Sequence, residues 1–152
     1  MRAVVARVRR ASVTVESDLG EPLRVSGAIG VGLLVLLGVH TGDTADPATT
    51  AHRVATMARK LHELRILRDE MSCADTGAPL LVVSQFTLHG ETRRGRRPSW
   101  SAAARPADAA PVVDAVVAAL RGRGATVETG EFGESMAVES VNDGPFTVLV
   151  EV

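Results

Sequence analysis

Polar side chains end a strongly apolar segment, residues 80–88 (LLVVSQFTL). Strand alternation predicts that Gln85, Thr87 and His89 share one face, which raises the question of a hydroxyl–base pair. Residues two apart on a strand lie about 6.5–7 Å apart, too far for a direct hydrogen bond without a bend or a water. The segment fits either a weak Thr–His nucleophile pair or an ordinary polar strand end, and its exposed backbone amides could stabilise an oxyanion.

Four arginines form a second candidate, which we call the arginine loop: Arg93, Arg94, Arg96 and Arg97. The net charge of −1 hides an asymmetry, because residues 1–123 carry a net charge of +5 and residues 124–152 one of −6. Arg presents a planar fork of donors that matches phosphate oxygens. The arginine loop therefore fits a contact with nucleic-acid phosphates, and it fits a solvated basic surface equally well.

The remaining reactive residue types form no familiar metal or nucleotide site. The four histidines lack the H-E-x-x-H spacing and any His/Cys pairing, so we expect no metal and no cofactor. Residues 27–32 (GAIGVG) have glycines in the wrong order for a dinucleotide-binding loop, which indicates turn glycines. Cys73 is the single cysteine, and we expect an incidental surface thiol in a reducing cytosol.

Length and composition predict one domain that spans residues 1–152. Hydrophobic residues make up 45% of the chain and aromatic residues only 3%, so the core must be built from Val, Leu, Ile and Ala. No apolar run approaches the roughly 20 residues of a membrane helix, and residues 1–10 lack a signal-peptide pattern. We therefore expect a cytoplasmic protein without membrane contact.

Apolar periodicity predicts a sheet with two helices. The predicted strands cover residues 3–8, 12–16, 31–39, 80–88, 125–128, 135–141 and 146–152. The run at 31–39 is apolar almost throughout, which predicts a central strand buried on both faces. Residues 142–145 (NDGP) predict a turn between the last two strands.

Helix signals appear twice along the chain. Asp46 and Pro47 are typical of a helix start, and apolar residues recur at helical spacing for about four turns after them. The second predicted helix has Pro111 in its first turn and ends at Gly122 or Gly124. Residues 69–79 and 89–111 are predicted to be loops, the second of them long by ordinary standards.

Five segments taken together resemble the D-aminoacyl-tRNA deacylases: MRAVVARV, GLLVLLGV, LLVVSQFTL, TRRGRRPSW and VNDGPFTV. The resemblance runs over essentially the whole chain, and the SQFT strand end and the Asn-x-Gly-Pro-x-Thr turn are specific when both occur at this spacing. It implies a homodimeric, single-domain α/β protein with sheets curled into a barrel-like core and two main helices outside. It also implies hydrolysis of the ester between a D-amino acid, or glycine, and the terminal adenosine of tRNA. Aminoacylated tRNA would be the partner, with no role for DNA, a membrane or a cofactor.

The resemblance also assigns a reaction centre. It is lined by Ser84, Gln85, Phe86 and Thr87, and apolar residues matching Phe132 and Met136 line the pocket. Either the Thr87 hydroxyl acts as nucleophile, or backbone amides and the 2′-hydroxyl of the tRNA carry the chemistry. We favour the second, because a lone Thr hydroxyl without a paired base is a poor nucleophile at neutral pH.

Chirality is assigned to a Gly-cisPro pair that intrudes from the opposite subunit and excludes an L side chain. Here that pair is Gly144 and Pro145, and Arg7 on the first strand matches the residue that braces it. Two departures stand out: Phe146 replaces the usual Val, and residues 69–79 are shortened and lack the Gly-Lys-Met-Asn stretch. The alternative function is therefore a noncatalytic tRNA- or RNA-binding module of the same fold, which uses the arginine loop.

Overall fold

One long strand organises the sheet. In a computed structural model, which describes residues 1–93 and 95–152, six strands are present: β1 (Arg2–Glu16), β2 (Pro22–Ile29), β3 (Gly32–Gly38), β4 (Leu80–Ser84), β5 (Val127–Thr129) and β6 (Met136–Glu151). The first half of β1 pairs with β3 and the second half with β2, while β6 runs antiparallel along the other edge of β1. Strands β3, β4 and β5 are parallel.

The sheet curls until its outer strands almost meet, as the barrel-like prediction requires. The strand order is β2-β1-β3-β4-β5, and β2 then comes back against β5. A Cβ atom at Gly27 of β2 would lie only 2.5 Å from the carbonyl oxygen of Thr129 in β5. Glycine is therefore needed here because two backbones approach closely.

Three helices complete the fold: α1 (Pro47–Glu63), α2 (Cys73–Thr76) and α3 (Pro106–Gly122). The predicted start of α1 is confirmed, because the Asp46 side chain accepts a hydrogen bond of 2.8 Å from the Thr49 backbone N–H. The start of α3 was predicted too late. Pro106 occupies its first turn, and Pro111 lies inside the helix.

Burial on both faces explains the apolar run of β3. Leu33, Val35 and Leu37 pack in the large core between the sheet and the helices α1 and α3. Leu34 instead faces a second, smaller core together with Leu81 of β4. The prediction of a central strand is confirmed, since β3 lies between β1 and β4.

Two predicted strand breaks are wrong. Residues 3–8 and 12–16 belong to one continuous strand, β1, whose pairing with β6 shifts register near Val8. Residues 135–141 and 146–152 likewise belong to one strand, β6. Ala6 pairs with Thr147 and Val8 pairs with Asn142, so residues 143–146 bulge out of β6 opposite a single β1 residue. We call residues 143–146 the Gly-Pro bulge.

Residues 69–79 were predicted to be a loop, but they contain the helix α2. Cys73 was predicted to lie on the surface, but it is buried. Cys73 begins α2, which the Ser72 side chain caps, and it is buried in the large core. Burial raises the pKa of its thiol to about 12. Just before it, Asp69 and Glu70 have φ angles of 57° and 54°, which is the left-handed region that favours glycine.

Across the described residues, no helix combines the length and the apolar character that a membrane span requires.

Candidate active site

The predicted strand at residues 80–88 stops early, and this sets the geometry of the site. Strand β4 ends at Ser84, and a 3-10 turn covers Phe86–His89. The Gln85 N–H still donates to the Leu37 carbonyl at 2.8 Å, and the Leu88 N–H then donates back to Gln85. The turn packs on Gly38, where an added Cβ would lie 2.8 Å from the Gln85 oxygen. The predicted alternation past Ser84 is therefore wrong.

Thr87 and His89 do not form a hydroxyl–base pair in this arrangement. The Thr87 hydroxyl accepts a short hydrogen bond from the Gln85 side-chain amide. The His89 ring packs edge-on against the His40 ring, with centroids 5.3 Å apart. Burial lowers the pKa of His89, which keeps its ring neutral at pH 7. No side chain seen here activates Thr87 as a nucleophile.

A cavity of about 620 Å³ opens beside the 3-10 turn. Ser84, Gln85 and Phe86 form one side of it. Phe132, in the connection between β5 and β6, and Met136, at the start of β6, also line it. The structure therefore brings together five of the six residues that the sequence placed at the reaction centre and pocket. Thr87, the sixth, lies in the same turn and is exposed, but it is not part of the cavity wall.

Aromatic rings at the cavity provide a stacking surface. Phe86 is 56% exposed, and its ring meets that of Trp100 edge-to-face with centroids 5.5 Å apart. Trp100 also packs on Gly90, where a Cβ would lie 2.5 Å from the indole. Sequence reasoning missed Trp100, although the chain has a single Trp among few aromatic residues. Exposed rings of this kind can stack on a nucleobase.

The cavity wall carries few charges. Arg105 and Glu134 are the ionisable side chains among the described residues that line it. Arg105 is already paired with Asp108 at 3.0 Å. No group of three His, Cys, Asp or Glu side chains that could hold a metal occurs in the described part of the chain. The described cavity wall is therefore mainly apolar, with Ser84, Gln85, Arg105 and Glu134 as its polar side chains.

The Gly-Pro bulge is held by a buried arginine. The Gly144–Pro145 peptide bond is cis. The Arg7 guanidinium donates to the backbone oxygens of Asp143 (2.9 Å), Gly144 (3.1 Å) and Ile66 (3.1 Å). The Phe146 ring covers the same guanidinium, with 4.7 Å between the ring centroid and the guanidinium carbon. Phe146, in place of the usual Val, thus adds an aromatic ring to the contacts of the Arg7 guanidinium.

The Asp143 side chain gathers further arginines around the bulge. Its carboxylate accepts a hydrogen bond of 2.8 Å from Arg68 and lies 3.2 Å from Arg7 and 3.7 Å from Arg9. Burial alone would raise the pKa of Asp143, but the guanidinium groups of Arg68, Arg7 and Arg9 outweigh it and hold that pKa below its ordinary value. Asp143 is therefore a carboxylate at neutral pH.

Arg7, which holds the bulge, and Ser84, in the cavity wall, lie next to opposite ends of β3 within one chain. Arg7 pairs with Leu33 at one end of β3, whereas Ser84 pairs with Leu37 at the other end. Four residues along a strand correspond to about 13 Å. Gly144 and Pro145 accordingly do not line the cavity of their own chain.

The arginine loop lies next to the cavity. Backbone hydrogen bonds of 2.8 and 3.0 Å between Glu91 and Ser99 close the loop, and Trp100 at the cavity follows directly. Arg96 and Arg97 are exposed, and Arg93 lies 3.9 Å from the Glu91 carboxylate. Arg94 lies outside the described residues.

The chain was compared with known proteins. A family model described as D-Tyr-tRNA(Tyr) deacylase matches residues 4–151. The chain is 56% identical over 151 residues to a D-aminoacyl-tRNA deacylase of Streptomyces avermitilis, with 99% of each chain covered. It is 58% identical over 152 residues to one of Kineococcus radiotolerans, again with 99% of each chain covered.

Solved structures give the same fold. A protein described as c-Myc DNA Unwinding Element Binding Protein is similar with a TM-score of 0.83 and 36% identity, covering 100% of this chain and 99% of that one. A probable eukaryotic D-amino acid tRNA deacylase has a TM-score of 0.82 at 15% identity, covering 99% and 98%. With a family model matched over nearly the whole chain and relatives above 50% identity, this chain belongs to the D-Tyr-tRNA(Tyr) deacylase family, hydrolases of D-aminoacyl-tRNA.

Proposed function

We propose that the cavity takes the 3′-terminal adenosine of tRNA with its amino acid, and that the strand end at Ser84–Phe86 carries out ester hydrolysis there. The observation that carries this proposal is the cavity of about 620 Å³ with this strand end in its wall. Its volume lies in the range of small-ligand sites. Phe86 and Trp100 offer rings on which an unpaired adenine can stack. A duplex DNA keeps its bases paired, so tRNA with its free 3′ end is the better partner.

Catalysis rests on backbone amides and the substrate itself. Phe86 and Thr87 open the 3-10 turn, and the first N–H groups of such a turn have no acceptor within it. These amides bind the oxyanion that develops when water attacks the ester carbonyl. The 2′-hydroxyl of the terminal adenosine assists the proton transfer to the departing 3′ oxygen. An aminoacyl ester is already activated, so orientation and oxyanion binding suffice.

The chirality filter requires a second copy of the chain. The Gly-Pro bulge lies about 13 Å from the cavity of its own chain, as estimated from the strand rise. Within the described residues β6 pairs on one edge only, with β1, and it exposes Val138, Phe146 and Leu149, the last by 65%. A free strand edge with apolar side chains favours association. In the homodimer, each Gly-Pro bulge enters the partner's cavity and blocks the L side-chain position.

This filter predicts which substrates are accepted. It excludes an L side chain by steric contact, so D-aminoacyl esters pass. Glycine has no side chain for the filter to reject, so glycyl-tRNA is a substrate as well. An enzyme with this selectivity acts in translation quality control, in the cytoplasm where aminoacylated tRNA is used.

The test is incubation with matched D-Tyr-tRNA, Gly-tRNA and L-Tyr-tRNA, followed by measurement of the remaining ester. We expect loss of the D-tyrosyl and glycyl esters at enzyme-dependent rates, while the L-tyrosyl ester survives. Equal loss of the D and L esters would refute the filter. Binding of all three without any hydrolysis would instead favour the noncatalytic RNA-binding module.

A further inference from the structure

We propose that Arg9 and Arg68 form a phosphate-binding site beside the Gly-Pro bulge, which holds the tRNA backbone just outside the partner's cavity. This site rests on the proposed function, because the bulge reaches a substrate only in the dimer. It is separate from the arginine loop, which lies next to the cavity of its own chain. Each substrate would then be held by arginines from both subunits.

Charge around the bulge is unbalanced in favour of anions. Three guanidinium groups, of Arg7, Arg9 and Arg68, share the single carboxylate of Asp143. Nearby, Arg65 and Glu70 form an ion pair at 4.0 Å, so their opposite charges cancel. Along the adjoining chain, Arg10 on β1 is followed two residues later by a pair with Glu139 of β6, and the segment after α1 adds Asp69. The region therefore keeps a positive excess after its internal pairs are formed.

The donors of Arg9 and Arg68 remain available to a ligand. Arg7 is buried and uses Nε, Nη1 and Nη2 on backbone oxygens. The side chains of Arg9 and Arg68 are each 68% exposed, and the hydrogen bond of Arg68 to Asp143 uses one Nη2 donor. A guanidinium has five N–H donors, so most of those on Arg68 point to solvent.

Asp143 also orders these side chains before a ligand arrives. A free surface arginine loses rotamer entropy when it binds a phosphate. Arg68 is already fixed by its 2.8 Å hydrogen bond, and Arg9 lies within ion-pair distance of the same carboxylate. The Arg9 and Arg68 side chains are therefore partly preorganised for a ligand.

The position of Arg9 and Arg68 beside the Gly-Pro bulge favours the phosphates of a tRNA 3′ end as the ligand. Arg9 follows Arg7 by two residues on β1, about 6.5–7 Å along the strand, and Arg7 holds the Gly144 oxygen directly. When the bulge meets the aminoacyl group in the partner's cavity, the phosphates 5′ of the terminal adenosine pass outside that cavity. Arg9 and Arg68 contact the Asp143 carboxylate at the first residue of the bulge, so they lie beside it and can meet those phosphates.

The experiment compares two substrates. D-Tyr-tRNA carries backbone phosphates, and the D-tyrosyl ester of adenosine carries none. The variants are Arg9→Gln, Arg68→Gln and their combination, with Arg59→Gln as the matched control. Arg59 is a half-exposed arginine of α1 that pairs with Glu63 at 3.6 Å. For the double variant we expect the ratio of kcat/KM for tRNA to that for the adenosine ester to fall at least tenfold. The slope of log K against log salt for uncharged tRNA should flatten by about 1.4 to 1.8, or 0.7 to 0.9 for each lost contact.

Charge-preserving variants separate this site from a structural effect. Arg9→Lys and Arg68→Lys should recover most of the salt slope, because a phosphate still meets a cation. The proposal would be overturned if the double Gln variant had the same kcat/KM ratio and the same salt slope as Arg59→Gln. It would also be overturned if the double Gln variant lost the dimer and the Lys variants did not restore it. If the unaltered protein hydrolyses neither substrate, the proposed function fails, and the salt slope with uncharged tRNA still decides on the phosphate site.

Discussion

Arg7→Met is expected to destabilise the fold strongly, although it changes one side chain on a single strand. Met keeps much of the volume of the aliphatic stem, so the loss is mainly that of the guanidinium, including its contact with the Phe146 ring. Arg7 donates to the backbone oxygens of Asp143 and Ile66, and both hydrogen bonds are buried. Leaving a buried acceptor unpaired costs about 1–3 kcal/mol. We therefore expect the free energy of unfolding to fall by about 2–6 kcal/mol at pH 7 from these two acceptors.

The pH dependence of this loss has a defined sign. The pKa of Asp143 is held low in the folded protein by Arg68, Arg7 and Arg9 against the effect of burial. A depressed folded pKa stabilises the protein above the unfolded pKa of about 3.9, and this stabilisation is lost as the pH falls through the folded value. Removing Arg7 reduces the depression, so the difference between parent and variant should be largest near neutral pH and should shrink below about pH 4.

The assay is urea unfolding followed by circular dichroism at fixed protein concentration, because a dimer's stability depends on concentration. Arg59→Met serves as control, since Arg59 makes an exposed pair with Glu63 within α1. Such a pair contributes about 0.3–0.5 kcal/mol. A loss for Arg7→Met no larger than that of the control, or one that grows as the pH falls, would refute the reasoning.

Four further variants or reactions test other parts of the structure. Thr87→Ala should retain measurable single-turnover hydrolysis, because the Thr87 hydroxyl accepts from Gln85 and has no base; a folded dimer at the spontaneous rate would show that the hydroxyl is the nucleophile. Glu70→Gly should raise the free energy of unfolding by about 1 kcal/mol, because Glu70 has a φ of 54° and glycine relieves that strain; a lower urea midpoint would contradict this. Cys73 should resist iodoacetamide at pH 8 in the folded protein and react in urea, because burial raises its pKa to about 12; fast labelling of the native protein would show that it is accessible. Replacing all four residues of the arginine loop by Gln should flatten the salt slope of tRNA binding by about 0.7–0.9 for each true phosphate contact, and an unchanged slope would leave the loop as solvated surface.

Local patterns determined the parts of the fold that depend on neighbouring residues. Asp46 and Pro47 started α1 as predicted, because capping and the first helical turn involve adjacent groups only. The apolar run at 31–39 predicted the central strand, because burial on both faces leaves no polar alternation. The SQFT and Asn-x-Gly-Pro-x-Thr motifs identified the family and the residues at the cavity, since Ser84, Gln85 and Phe86 lie in its wall.

Contacts between distant residues decided the rest. Strand β4 ends at Ser84 because the following turn packs on Gly38 of a neighbouring strand, which no local pattern in SQFTL can indicate. Arg7 and Asp143 are 136 residues apart, and Arg68 and Asp143 are 75 apart, yet all three meet at the Gly-Pro bulge. The pairing of β1 with β6 places Asp143 beside Arg7. The hydrogen bond from Arg7 to the Ile66 carbonyl holds the segment that carries Arg68 next to them. The separation of Arg7 and Ser84 along β3 is likewise a property of the register, because each residue along a strand adds about 3.3 Å.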